Sequence, residues 1–146
     1  MHAAILCYLF RRIVPEISVA IDRELDIVSA RQRGRALAAE LGFSTTEQTL
    51  LATAISEVAR NIVSYAGRGT VTLNGIEEPG RRGIVITARD EGPGIPDLAL
   101  AMRDGYSTGN SLGVGLPGAR RLVDDFEISS TPGSGTTVVL KKWLRS

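Results

Sequence analysis

The segment 46–66 constrains the fold of this 146-residue chain more than any other stretch. Its apolar residues recur at intervals of three and four and cover about half of a helix surface, which is typical of a helix that faces a core. Asn61 projects into this apolar half, and Glu57 lies one turn earlier, at its edge. Because residues four apart are neighbours on a helix, the pattern predicts a carboxylate and a carboxamide side by side at the core boundary. Such a pair is either satisfied by hydrogen bonds within the protein or used to bind a ligand.

The composition argues against several kinds of function. Hydrophobic residues make up 43% and charged residues 23% of the chain, which is typical of one globular domain of this length. The net charge of +1 and the 5% of aromatic residues argue against binding to nucleic acid. His2 is the only histidine and Cys7 the only cysteine. Histidine-based chemistry and an internal disulfide are therefore disfavoured, a cytoplasmic location fits, and a bound metal would have oxygen ligands, as Mg²⁺ prefers.

The first ten residues are apolar and are followed by Arg11 and Arg12. A secretory signal carries its positive charge before the apolar run, and this run is too short to span a bilayer. We therefore expect residues 1–15 to be an N-terminal extension of unknown role rather than a membrane anchor. Residues 16–146 are predicted to form a single domain.

Hydrophobic periodicity and turn residues divide this domain into short elements. We predict helices over 26–41, 46–66, 96–102 and 114–126, and strands over 16–22, 70–77, 83–89, 127–131 and 136–142. The turn at 78–82 makes an antiparallel hairpin, and the glycine- and serine-rich segment 103–112 is predicted to be a mobile loop. The element order indicates an α+β fold, a two-layer sandwich in which helices cover one face of a mixed, largely antiparallel sheet.

Two of the three glycine-rich segments read, on their own, as turns. Asp90 follows a predicted strand and precedes Gly92 and Gly94, so a carboxylate lies beside backbone that can approach a ligand closely. Gly135 and Thr136 lie in the turn of the last hairpin. Neither pattern alone distinguishes a binding site from an ordinary turn.

The third glycine-rich segment runs from Gly113 through Gly115 to Gly118 and opens a predicted helix. Free N–H groups and the helix dipole at such a point favour phosphate. A dinucleotide-binding fingerprint would follow a buried strand and have an acidic residue about 20 positions later. A polar loop precedes this segment, and Val138 stands where the acid would be. A Rossmann site is therefore not predicted.

Taken together and in this order, the motifs resemble the ATP-binding (Bergerat, or GHKL) fold shared by DNA gyrase B, the chaperone Hsp90, histidine kinases and the mismatch-repair ATPase. In that family a helix carries Glu and Asn four apart, a strand end carries Asp-x-Gly-x-Gly, a lid precedes a glycine-rich helix start, and a Gly-Thr pair comes late. The matching residues here are Glu57, Asn61, Asp90, Gly92, Gly94, Gly113, Gly115, Gly118, Gly135 and Thr136. The chain has no room for the dimerisation helices of a histidine kinase. It resembles the bacterial anti-sigma-factor serine kinases instead, over about residues 16–145, and the switch kinases of stress signalling most of all.

The resemblance implies a role for each matched residue. Glu57 would be the general base and Asn61 the ligand of Mg²⁺. Asp90 would accept the exocyclic amine of adenine, and the hydroxyl of Thr136 would support that contact. Gly92 and Gly94 would let adenine pack closely, Gly113, Gly115 and Gly118 would hold the phosphates, and the segment 103–112 would be the lid. Arg60 and Arg120 are candidates for contact with the γ-phosphate of ATP.

The resemblance also implies partners, and it leaves three functions open. The first is a protein kinase that phosphorylates a serine on a STAS-domain protein of a partner-switching pathway. The second is a nucleotide-loaded switch without catalysis that activates a PP2C-type phosphatase. The third is an anti-sigma factor that sequesters a sigma subunit. A homodimer is compatible with each of them.

Overall fold

The computed structural model describes residues 11–95, 97–103 and 115–144. Four helices lie in these ranges: α1 (Glu24–Leu41), α2 (Thr45–Tyr65), α3 (Leu98–Ala101) and α4 (Gly115–Arg121). The strands are β1 (Arg11–Arg12), β2 (Ile17–Ile21), β3 (Gly69–Glu78), β4 (Arg81–Asp90), β5 (Asp125–Thr131) and β6 (Gly135–Trp143).

The six strands form one sheet in the order β1-β3-β4-β6-β5, with β2 also paired to β3. Each of the five described pairings is antiparallel. The sheet was predicted to be mixed, but the described residues form no parallel pair. Alternate residues of β3, β4 and β6 are buried and join residues of α1 and α2 in one core, whereas the residues between them are mostly half-exposed. The predicted α+β fold with a largely antiparallel sheet is confirmed.

Local chemistry sets the ends of the two long helices. Ser44 precedes α2, and its hydroxyl accepts a hydrogen bond from the N–H of Glu47, which makes it the N-cap of this helix. Gly42 ends α1 with φ of 100°, a left-handed conformation that favours glycine. The two helices approach closely because Gly34 of α1 is buried against the side chain of Ile55.

The strand β1 begins inside the segment that the sequence set apart as an extension. Arg11 and Arg12 pair with Glu77 and Ile76 of β3, and the N–H of Ile13 donates to the carbonyl of Gly75 over 3.0 Å. Residues 11–13 therefore take part in the sheet. Residues 1–10 lie outside the described ranges.

Two predicted boundaries are wrong. The turn between β3 and β4 has two residues rather than five, since Glu78 and Arg81 are already paired. The helix predicted over 114–126 ends at Arg121, and Phe126 belongs to β5. Most of the predicted loop 103–112 lies outside the described residues. No helix in the described ranges is long and apolar enough to cross a membrane.

Candidate functional site

Asp90 is the last residue of β4, and its side chain organises one end of the site. It is only 6% exposed, and burial of a carboxylate is costly unless hydrogen bonds compensate. Two backbone N–H groups donate to Oδ1, that of Gly92 over 2.9 Å and that of Thr136 over 3.2 Å. Within the described ranges no donor engages Oδ2. Asp90 is thus held firmly and still has one oxygen available to a ligand.

The loop after Asp90 is fixed on two sides. The N–H of Gly133, in the turn between β5 and β6, donates to the carbonyl of Pro93 over 2.7 Å. A Cβ on Gly92 would lie 2.5 Å from Cβ of Ala66, the residue that ends α2. Gly94 has φ of 81°, and a Cβ there would lie 2.5 Å from the carbonyl oxygen of Thr131. Both predicted glycines are therefore required by the packing of this loop, whatever they do toward a ligand.

Thr136 stands beside Asp90, because the two residues are partners in the β4–β6 pairing. The next residue in this row across the sheet is Ser130 of β5, the partner of Thr136. The hydroxyls of Ser130 and Thr136 are 2.8 Å apart, and the N–H of Ile95 donates to the Ser130 hydroxyl over 2.8 Å. Ser130 was not among the predicted site residues, because a serine in a strand of alternating pattern carries no signal of its own.

Glu57 lies on the buried side of α2 and is 9% exposed. Burial raises the pKa of its carboxyl, because desolvation disfavours the charged form. The charge of Arg60 and a hydrogen bond from the N–H of Gly115 act in the opposite direction and lower this pKa. A buried carboxyl with a raised pKa is a candidate for a general base. The contact with Gly115 also brings Glu57 to the start of α4.

The remaining predicted residues lie on α2 and α4. Asn61 follows Glu57 by one turn and is half-buried. Gly118 is buried within α4, which packs against α2, whereas Gly113 lies outside the described residues. Of the two candidate γ-phosphate contacts, Arg60 pairs with Glu24 of α1 at 3.3 Å and Arg120 is exposed.

The oxygen donors of α2 suit a magnesium ion that is shared with a nucleotide. The described ranges contain no group of three or more His, Cys, Asp or Glu residues that could hold a metal ion. On α2 the candidate ligand, Asn61, supplies one side-chain oxygen donor, one turn from the candidate base Glu57. Mg²⁺ is commonly held by one or two protein oxygens together with substrate phosphates and water, so this donor set fits such an ion and does not fit an all-protein cage.

Helix α2 connects the two halves of the site. Its C-terminal end, at Ala66, contacts the loop that follows Asp90. Glu57 lies nine residues earlier, which is about 14 Å along the axis at 1.5 Å per residue. Asn61 lies between these two points of the helix. The structure thus joins Asp90, Gly92 and Thr136 at one end of α2, and Glu57 and Gly115 nearer its middle.

The chain is similar in sequence to several known proteins. Residues 46–146 match the family described as histidine kinase-, DNA gyrase B- and HSP90-like ATPases. The chain is 51% identical over 127 residues to the serine/threonine-protein kinase RsbT of Bacillus subtilis (strain 168), covering 87% of this chain and 96% of that protein. It is 34% identical over 122 residues to the anti-sigma F factor of Bacillus licheniformis, covering 79% of this chain and 82% of the relative.

A solved structure, the mycobacterial sensor histidine kinase MprB, has a similar fold. Its TM-score is 0.50 at 17% identity, and the match covers 90% of this chain and 97% of that one. At this identity the likeness concerns the fold alone. The family match and the two relatives carry the assignment further: the chain belongs to the histidine kinase-, DNA gyrase B- and HSP90-like ATPases, in the group of serine/threonine-protein kinases and anti-sigma factors.

Proposed function

We propose that this protein binds ATP with Mg²⁺ and transfers the γ-phosphoryl group to a serine of a STAS-domain partner in a bacterial partner-switching pathway. The observation that carries the proposal is that two different carboxyls lie at two points along α2: Asp90 of β4, whose following loop packs against Ala66 after the C-terminal end of the helix, and Glu57 nearer its middle. Asp90 is buried and held by two N–H groups, with Oδ2 available for a base. Glu57 has a raised pKa and contacts the start of α4. We propose a cytoplasmic location, which fits the use of ATP and a single cysteine.

Each end of the site has a separate task in this proposal. Asp90 accepts the exocyclic amine of adenine, and Thr136 contacts the same base. The backbone of the glycine-rich segment, of which Gly115 and Gly118 are described, holds the phosphates. When bound, Mg²⁺ neutralises phosphate charge, and the carboxamide oxygen of Asn61 is the proposed protein ligand.

The transfer step needs positioning and a base more than covalent help. The serine oxygen of the partner attacks the γ-phosphorus, and the bond from that phosphorus to the β,γ-bridging oxygen breaks, so that ADP leaves. Glu57 takes the proton of the serine hydroxyl. For this purpose Glu57 must be ionised before the attack. The hydrogen bond from the N–H of Gly115 favours the ionised form and leaves other lone pairs of the carboxylate for the substrate hydroxyl.

A second function is supported by the other relatives. The anti-sigma F factors, of which the one from Bacillus licheniformis is 34% identical, are named for binding a sigma factor. On this alternative the chain sequesters a sigma subunit, and the nucleotide controls the binding. A third arrangement, a nucleotide-loaded activator of a PP2C-type phosphatase, uses the same site without the base.

A phosphoryl-transfer assay distinguishes these functions. The purified chain is incubated with ATP, Mg²⁺ and a purified STAS-domain protein from the same genome, and intact-mass spectrometry measures the mass of the partner. We expect one added phosphoryl group with the wild type and with Glu40→Gln, an exposed control on α1. Glu57→Gln should bind ATP without transfer, and Asp90→Asn should lose both binding and transfer.

The other outcomes each support a different assignment. If ATP binds and no cognate STAS-domain protein is phosphorylated, the kinase proposal is wrong. Copurification of a sigma subunit only in the presence of nucleotide would then favour the anti-sigma factor. Activation of a phosphatase by both wild type and Glu57→Gln would favour the switch without catalysis.

A further inference from the structure

Lys142 is the one buried cation among the described residues, and the proposed mechanism does not use it. It is 7% exposed and lies in β6 opposite Ile84 of β4, which is fully buried. Its side chain therefore projects from the face of the sheet that carries the core. Burial of an ammonium group is costly unless polar groups compensate, so a lysine at this position indicates a specific partner.

The partner of Lys142 is the end of α4. Its ammonium group donates to the carbonyl oxygen of Leu122 over 3.2 Å. Leu122 directly follows α4, and its N–H donates to the carbonyl of Ala119 over 3.1 Å, so it continues the final turn of the helix. The carbonyls at a helix C-terminus have no partner within the helix and carry partial negative charge, which a cation stabilises. Lys142 thus connects the C-terminal end of α4 to the sheet.

The other end of α4 contacts the proposed base. The N–H of Gly115, the first residue of the helix, donates to Glu57. Gly115 and Leu122 are about 10 Å apart along the axis at 1.5 Å per residue, and a helix this short depends on its surroundings for stability. Its buried residues include Gly118 and Ala119, which offer few side-chain atoms to resist sliding along α2. The hydrogen bonds at its two ends therefore determine where α4 stands along its own axis.

From this arrangement we propose that Lys142 is a positioning residue for phosphoryl transfer, which holds α4 at its C-terminal end and thereby sets the place of Gly115 beside Glu57. The inference rests on the proposed function, in which Glu57 is the base and the glycine-rich segment holds the phosphates. Lys142 acts through α4, a rigid element that transmits a displacement from one end to the other, and does not itself contact ATP.

Hydrogen–deuterium exchange of the full chain without nucleotide, read by mass spectrometry, tests whether Lys142 holds α4. Lys142→Met removes the charge and the donor and keeps a long, unbranched side chain. We expect the amides of 115–122 to exchange about tenfold faster, the effect of losing one hydrogen bond from a charged donor, and those of β4 and β6 to exchange as in the wild type. Lys142→Arg retains the charge and the donors and should exchange as the wild type does.

Two further variants complete this experiment. Lys141→Met is the matched control, because it removes the neighbouring lysine, whose side chain projects from the opposite face of β6. It should leave the exchange of 115–122 unchanged. Lys142→Gln, which is uncharged and one atom shorter, replaces Lys142→Met if that variant does not fold, and the same direction of change is expected.

Transfer kinetics separate positioning of α4 from support of the fold as a whole. With ATP, Mg²⁺ and the STAS-domain partner, Lys142→Met should lower kcat by about 10²-fold, the scale on which a misplacement of about 1 Å affects a reaction. Adenosine has no phosphates and would compete for the Asp90 end alone, so its inhibition constant should stay at the wild-type value. Lys142→Arg should retain most of the wild-type kcat.

The inference is overturned if Lys142→Met leaves either the exchange of 115–122 or kcat at its wild-type value. It is also overturned if this variant weakens adenosine and ATP to the same extent and exchanges faster throughout the sheet, because Lys142 would then support the whole fold. Failure of the proposed function looks different. The wild type would then transfer no phosphoryl group, whereas the exchange of 115–122 would still show whether Lys142 holds α4.

Discussion

The buried carboxyl of Glu57 combines a proposed catalytic task with a cost in stability. Burial makes the neutral form the favoured one in the folded protein, and this raises the pKa. The unfolded chain has no such preference. The contribution of Glu57 to the free energy of unfolding is therefore fully present at pH values below the pKa of the unfolded chain. It is lost as the pH rises through the pKa of the folded protein. Above the folded pKa the protein carries an ionised carboxyl that burial disfavours.

Glu57→Gln should separate these two effects. The amide retains the size of the side chain and an oxygen that can accept from Gly115, and it cannot ionise. We expect the variant to lose phosphoryl transfer by about 10²–10⁴-fold, as for other general bases. We also expect it to be more stable than the wild type at neutral pH and equally stable in acid. Urea denaturation between pH 4 and 8 measures the difference, and Glu40→Gln, which changes an exposed carboxyl, is the control.

At the scale of the secondary-structure elements, the site depends on close contact between helices. Gly34 of α1 is buried at the crossing with α2, where a Cβ would overlap Cδ1 of Ile55 and lie 3.9 Å from Cδ1 of Leu73. Ile55 precedes Glu57 by two residues on α2. A side chain at position 34 would therefore push on the helix that carries the proposed base.

Gly34→Val should reduce the free energy of unfolding by about 1–3 kcal/mol, the usual cost of an overfilled core. Gly34→Ala should reduce the free energy of unfolding by less than Gly34→Val. The end of the Ile55 side chain can rotate away, and alanine favours a helix by about 1 kcal/mol over glycine. Ala39→Val, on the exposed side of the same helix, controls for the helix propensity of valine. Equal losses for Gly34→Val and Ala39→Val would show that the crossing is looser than the structure indicates.

Elements with a local cause could be predicted from the sequence, whereas those set by distant contacts could not. The helix that carries Glu57 was predicted, because the spacing of its apolar residues is a local pattern with a local cause. The end of α4 was not predicted. Leu122, Val123 and Phe126 continue the helical spacing, but hydrogen bonds from β6 override it: the Trp143 backbone N–H donates to Asp124 over 2.7 Å, and its indole N–H donates to Asp125 over 3.2 Å.

In the site, too, only residues in a local sequence pattern could be predicted. Asp90 and Thr136 stood out because each follows or precedes glycines in a recognisable order. Ser130 and the contact between Glu57 and Gly115 did not, because their partners are distant in sequence. Ser130 and Ile95 are 35 positions apart in sequence, and no periodic pattern in either segment predicts their hydrogen bond.

For the whole molecule, a bound nucleotide should connect the sheet, α2 and α4. A ligand that binds only the folded state stabilises it by about 2.7 kcal/mol at a concentration of 100 Kd. We therefore expect ATP with Mg²⁺ to raise the melting temperature by several degrees. Differential scanning calorimetry should find this increase for the wild type and for Glu91→Gln, a change in the exposed residue next to Asp90. Asp90→Asn should abolish it, and an unchanged shift in that variant would contradict the assignment of the base site.

The contact between Thr136 and Asp90 should form late in folding. The α1–α2 pair and the β3–β4 hairpin are local in sequence, whereas Thr136 reaches Asp90 across 46 positions. Contacts that close long loops lose chain entropy before their stabilising interactions are complete, and they therefore tend to form late. The only tryptophan, Trp143, lies in β6 and is 5% exposed, so its fluorescence reports the docking of this strand. In stopped-flow refolding, the capture of a fluorescent ATP analogue should coincide with the tryptophan signal and lag behind helix formation. A chain still leaving the ribosome would then be unable to hold ATP until its last hairpin had joined the sheet.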